Sequence, residues 1–86
     1  MSWTDKPTDS QLETIYQWFR WVMPTAKASD SVKWLGDHAN RKQVSDEMTR
    51  IRDLKKSRNL SHERCFESDI WGDYLFKEGT LNKEVN

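Results

Sequence analysis

The sequence predicts an all-α fold, a small bundle of three main helices plus a shorter fourth, with loose termini. Three observations carry this. Apolar side chains recur three and four residues apart over long windows, which is the period of one helical face. Polar capping residues stand ahead of those windows. The chain is polar, 35% apolar against 33% charged, yet 12% of its 86 residues are aromatic and five are tryptophan. A core built around rings therefore compensates for scarce aliphatics.

Eighty-six residues make one domain with a single modest core. Residues 1–7, "MSWTDKP", read as an N-terminal arm, because Pro7 neither donates a hydrogen bond nor continues a helix. Residues 8–76 read as the helical core. A capping box opens the first helix, either Thr8 with Gln11 or Ser10 with Glu13. Leu12, Ile15, Tyr16, Phe19, Val22 and Met23 then share a face, and Pro24 ends the run by pushing Met23 out of helical geometry. The second helix, within "TAKASDSVKWLGDHA", is capped by Thr25 or Ser29 and aligns Ala28, Val32, Leu35 and Ala39; Gly36 ends or weakens it. Asn40 with Gln43 caps the third, which aligns Val44, Met48, Ile51 and Leu54 and stops between Ser57 and Asn59. Ser61 opens the fourth, with Leu60 and Cys65 as a hydrophobic staple and Phe66, Ile70 and Tyr74 spaced by four; Gly72 interrupts its far end. Residues 77–86 read as a flexible acidic tail, with a short hairpin about Glu78 and Gly79 as the alternative.

Formal charge is zero, but it is the sum of unlike segments. Residues 1–40 carry four basic and five acidic side chains, residues 41–64 eight and four, and residues 65–86 two and five. No apolar run approaches 18 residues, so neither a membrane span nor a secretory core is expected. The single cysteine, Cys65, excludes an internal disulfide and points to a reducing, cytoplasmic setting. His62 and Cys65 lie three apart, the minimum for an activated thiol, but no orienting group or oxyanion donor accompanies them. With His38 they offer three metal ligands, one short of a structural zinc set. There is no glycine-rich phosphate loop. No catalysis, cofactor or metal is expected.

Two surfaces stand out. In "YQWFRWVMP" the core face of the first helix takes Phe19 and Met23 with Leu12, leaving Trp18 at its edge, Trp21 roughly opposite and Arg20 beyond Tyr16. Either the fourth helix covers Trp21 with Phe66, Ile70 and Trp71, or a second copy of the chain does, or Trp21 is an exposed anchor for a protein partner. In the last reading the partner face comprises Trp21, Trp18, Arg20 and Trp34, with Trp3 as a further candidate. On the third helix Arg41, Lys42, Ser45, Thr49, Arg52 and Lys56 fall within roughly a 100° sector, a basic stripe suited to phosphates or else a solvated flank. Ion pairs from Asp46 to Arg50 and from Asp53 to Lys56 are the expectation on that flank.

"NRKQVSDEMTRI", following the helix of "TDSQLETIYQWF", resembles the second helix of SAP-type helix-extended loop-helix modules. On that resemblance Asn40 is the cap, Arg41 and Lys42 the basic pair, and Val44 and Met48 the packing positions. It implies DNA binding, and similar short modules occur in bacterial and phage proteins. The chain departs from the pattern where "ASDSVKWLGDHA" reads as a helix in place of the extended loop. Taken together, the sequence favours a non-enzymatic helical adaptor or inhibitor acting on a protein or nucleoprotein partner, with no membrane role. By analogy of size and style it looks like a phage or mobile-element accessory protein. Nucleic-acid binding through the basic stripe and homodimerisation are the alternatives.

Overall fold

Thr8 opens the first helix with a reciprocal cap: its Oγ1 accepts from the Gln11 amide at 3.1 Å, and Gln11 Oε1 accepts from the Thr8 amide at 3.0 Å. From there the computed structural model, which describes residues 2–77, runs through helices and turns. The order is α1 Asp9–Phe19, α2 Thr25–His38, α3 Arg41–Lys56, α4 His62–Cys65, a 3₁₀ turn Asp69–Trp71 and α5 Gly72–Lys77. The fold is all-α, and among the described residues there is no strand. The expected tail, apart from Lys77 in α5, lies outside the described residues.

Helix α1 packs against both α2 and α3, which makes it the central helix. It stops at Phe19, four residues earlier than its apolar spacing suggests. The chain tightens there: the amides of Trp21 and Val22 bond the carbonyls of Trp18 and Phe19, three residues back. This turn keeps Phe19 and Met23 buried while the chain prepares for the extended geometry demanded by Pro24. Trp21 therefore stands on a turn rather than on a helix face.

Helix α2 begins after Pro24 without a side-chain cap; neither Thr25 nor Ser29 serves as one. Gly36 does not end it. A Cβ there would lie 3.2 Å from Leu12 Cδ1, so the glycine lets α1 and α2 approach closely. Asn40 and Gln43 form the expected capping box on α3. The helix ends in a Schellman-type turn, with the Asn59 amide on the Leu54 carbonyl and the Arg58 amide on that of Lys55. Arg58 occupies the left-handed position at φ 61°, where glycine is the low-cost residue.

Two expectations are corrected. The N-terminal arm is not loose over its described part: the amides of Arg41 and Lys42 donate to the carbonyls of Asp5 (2.8 Å) and Trp3 (3.0 Å), and Arg41 Nη2 reaches the Lys6 carbonyl at 3.2 Å. The arm thus satisfies the open amides of the first turn of α3. The fourth helix is broken into α4, the 3₁₀ turn and α5. Ser61 caps α4 as expected, but Arg50 donates to the carbonyls of Arg64 and Cys65, both at 2.6 Å. In a continuing helix those carbonyls would accept from the amides of Ser68 and Asp69. The helix stops here with Arg50 on its last carbonyls, and the bend carries Trp71 into the centre.

The core is correspondingly aromatic. Trp71 is completely buried, 5.8 Å from the ring of Phe19, 4.9 Å from Phe66, 5.5 Å from Tyr74 and 5.7 Å from Trp34. Such offset and edge contacts contribute about 0.5–1.5 kcal/mol each beyond area burial. Ile15, Leu35, Val44 and Ile51 complete the interior.

Candidate interaction surface

Trp21 is 70% exposed. The covering role expected of Phe66, Ile70 and Trp71 does not arise, because Phe66 and Trp71 pack around Phe19 in the interior. What lies on Trp21 is Lys55, from the last turn of α3. Its ammonium stands 4.3 Å from the Trp21 ring centre and 5.3 Å from that of half-buried Trp18. One lysine thus bridges two indoles, each contact contributing about 0.5–1 kcal/mol at an exposed site. Lysine is also favoured there by the negative end of the helix.

Arg52 and Lys56 flank Lys55 on its solvent side, at about 60° and 100° around the helix. Both are exposed, and neither makes an ion pair or hydrogen bond among the described residues. The C-terminal half of the basic stripe therefore adjoins the indole pair. Its N-terminal half is engaged within the molecule. Lys42 binds both carboxylate oxygens of Asp46 at 3.1 Å, Arg41 is held by the arm, and Thr49 Oγ1 turns back to the Ser45 carbonyl at 3.3 Å. The pair expected between Asp46 and Arg50 does not form, since Asp46 takes Lys42 and Arg50 takes Glu47, and Asp53 and Lys56 do not pair either.

The other expected partner-face residues lie elsewhere. Arg20 is exposed with its guanidinium 5.7 Å from the ring of Tyr16, a residue that with Leu12, Glu13, Val32 and Lys33 lines an open groove of ≈ 420 Å³. Trp34 is half-buried between Trp71 and His38, stacked on both. Trp3 is 59% exposed and contributes its carbonyl to α3.

Cys65 is completely buried, and burial pushes its thiol up to about 12; Arg50 pulls it down and Glu47 adds to the rise. It is a protonated core side chain at neutral pH, and His62 packs edge-on against Phe66. Among the described residues no three His, Cys, Asp or Glu side chains converge on a metal-sized site.

Sequence reasoning missed Glu47. It is 5% exposed, and its Oε1 accepts from Trp71 Nε1 at 3.0 Å and Arg50 Nη2 at 2.6 Å, while Oε2 accepts from Ser68 Oγ at 2.7 Å. A readable signal existed: Glu47 sits three residues after Val44 and four before Ile51, inside the apolar stripe. A second polar clasp joins Tyr74, whose hydroxyl donates to Asp30 at 2.9 Å and lies 3.1 Å from Ser31 Oγ.

Comparison with protein-family models, curated proteins and solved structures finds no match. Helix α2, 14 residues long, fills the place that a helix-extended loop-helix module gives to extended chain. No described helix is long and apolar enough to cross a membrane.

Proposed function

We propose that this protein is a non-enzymatic binding module, an adaptor or inhibitor that engages a protein partner through Trp18, Trp21 and Lys55. One observation carries the reading: Trp21, the largest kind of side chain, is 70% exposed on a tight turn, more than the other exposed rings Trp3 (59%) and Phe76 (61%), while Phe19, Phe66, Trp71 and Tyr74 are buried. Tryptophan is the residue most enriched at interface hot spots, where its burial supplies a large area at low entropic cost. Lys55 holds the indole in place before binding, which lowers the ordering cost of association. The one cysteine, buried and protonated, suits a reducing intracellular setting.

Nucleic-acid binding along the whole stripe is the weaker reading. The amides of Arg41 and Lys42 in the first turn of α3, a natural phosphate site, are taken by the arm, the Arg41 guanidinium is held there too, and Lys42 is paired on the surface with Asp46.

The test is a differential capture from the native host using full-length wild type, Trp21→Ala and, as a control outside the face, Arg20→Ala. A protein retained by wild type and Arg20→Ala, lost with Trp21→Ala, and binding as a purified protein with fixed stoichiometry is the expected result. Absence of any Trp21-dependent protein overturns it, as does a Trp21-dependent dimer in sedimentation.

A further inference from the structure

We infer that the partner presents an acidic protein surface: an apolar pocket for Trp21 with carboxylates placed to meet Arg52, Lys55 and Lys56. This rests on the binding-module reading and specifies its partner. The first support is charge. Arg52 and Lys56 are exposed cations without an intramolecular partner among the described residues, beside a lysine whose ammonium already touches both indoles. Of the acids on α3, Asp46 is committed to Lys42 and Glu47 to Arg50 and Trp71, and Asp53, the chain neighbour of Arg52, forms no ion pair with either cation. An approaching acidic surface is steered by these charges and then docks on the rings.

The second support is size, which separates a carboxylate cluster from a polyphosphate. Arg52 to Lys56 spans one helical turn, roughly 6 Å along the axis. Three cations on that length neutralise about three phosphates, well short of the roughly 6–10 contacts of a strong nucleic-acid binder. The remainder of the stripe extends the track poorly, because Arg41 is tied to the arm and Lys42 must first leave Asp46. One ring face of Trp21 is also occupied by the Lys55 ammonium, which obstructs the stacking of a base on that side. A one-turn cationic rim around an aromatic anchor has the dimensions of a protein hot spot, a buried centre with charges at its edge.

The experiment selects a displayed library of random dodecapeptides on the immobilised full chain and tests each consensus peptide against variants. Trp21→Ala, Arg52→Gln and Lys56→Gln alter exposed side chains, and their thermal melts verify the fold. The expected consensus joins Asp or Glu to a central apolar residue, and its affinity falls about tenfold or more with Trp21→Ala. With Arg52→Gln or Lys56→Gln it falls severalfold at low salt, an effect that shrinks as salt rises. A Trp21-dependent consensus without acidic residues overturns the partner chemistry and leaves the binding module standing. A 20-nucleotide single strand that binds more tightly than the best peptide in a Trp21-dependent way overturns it in favour of nucleic acid. No Trp21-dependent peptide and no bound strand removes both readings.

Discussion

Trp71 is fully buried with its indole nitrogen on Glu47, whereas Trp21 is 70% exposed with an ammonium over its ring. Burial obliges a tryptophan to find an acceptor for its N–H, and here that requirement brings a carboxylate into the core. The carboxylate in turn requires cationic and hydroxyl donors, so Arg50 and Ser68 follow it. Arg50 then reaches the carbonyls of Arg64 and Cys65 at the end of α4. One buried ring thus organises the whole C-terminal segment. Trp21 imposes no such chain of demands and is left to solvent, so its own fold does not account for its size.

The interior half of this comparison predicts the largest effects. Trp71→Ala removes the common neighbour of four rings and leaves Glu47 without its indole donor; a loss of about 3–5 kcal/mol is expected in urea denaturation. That approaches the whole stability of a chain this small. Glu47→Ala leaves the Arg50, Ser68 and Trp71 donors unmatched and costs about 3 kcal/mol. Glu47→Gln keeps an acceptor for Trp71 Nε1 and costs about 1–2 kcal/mol. A Glu47→Ala protein as stable as wild type would break the claim that this carboxylate is required by the buried ring.

Cys65, beside the same network, adds a pH effect. Its folded-state thiol, pushed up to about 12, stays neutral where an unfolded thiol, at 9.0, ionises. The unfolded state therefore loses the proton first as pH rises. The thiol's contribution is fully present below 9 and is lost progressively between 9 and about 12. At pH 10 wild type should lose about 1 kcal/mol more than Cys65→Ala does, each relative to its own stability at pH 8. Equal losses would show that burial does not hold the thiol neutral.

Arg58→Gly tests the border between the two regions. Glycine relieves the left-handed backbone at φ 61° and should stabilise by about 0.5–1 kcal/mol, read in the same denaturation experiment. A destabilised variant would mean that the arginine side chain secures the end of α3 by contacts worth more than the backbone strain.

Much of this was legible in the sequence because it is local. The caps at Thr8, Asn40 and Ser61 and the end of α3 at Ser57 follow from short-range patterns. The broken fourth helix did not, because the group that bonds its last carbonyls is Arg50, 14 residues before Arg64, and no property of "HERCFESDIW" announces it. Gly36 was legible only as a weak helix former, since the side chain that needs its missing Cβ, Leu12, comes from α1. Within the interaction surface, angular spacing identified Trp21 as misplaced. It could not reveal Lys55, which belongs to another helix and lies at the core edge of α3 rather than in the basic stripe.

The smallest expected effect concerns Trp21, and there a small value is the informative one. Trp21→Ala removes a ring that is 70% exposed, so lost burial is slight and lost contact with Lys55 contributes about 0.5–1 kcal/mol at most. Stability should change by no more than about 0.5–1 kcal/mol. Its fluorescence should change far more than its stability: Trp21 and Trp3 supply the red-shifted, readily quenched emission, so the variant's spectrum moves to the blue and acrylamide quenches it less. A loss near that of Trp71→Ala would make Trp21 a structural residue after all and erase the contrast on which the binding reading stands. A loss within the expected range, with the interior emission unaltered, leaves a large ring held ready by Lys55 for which folding has no use.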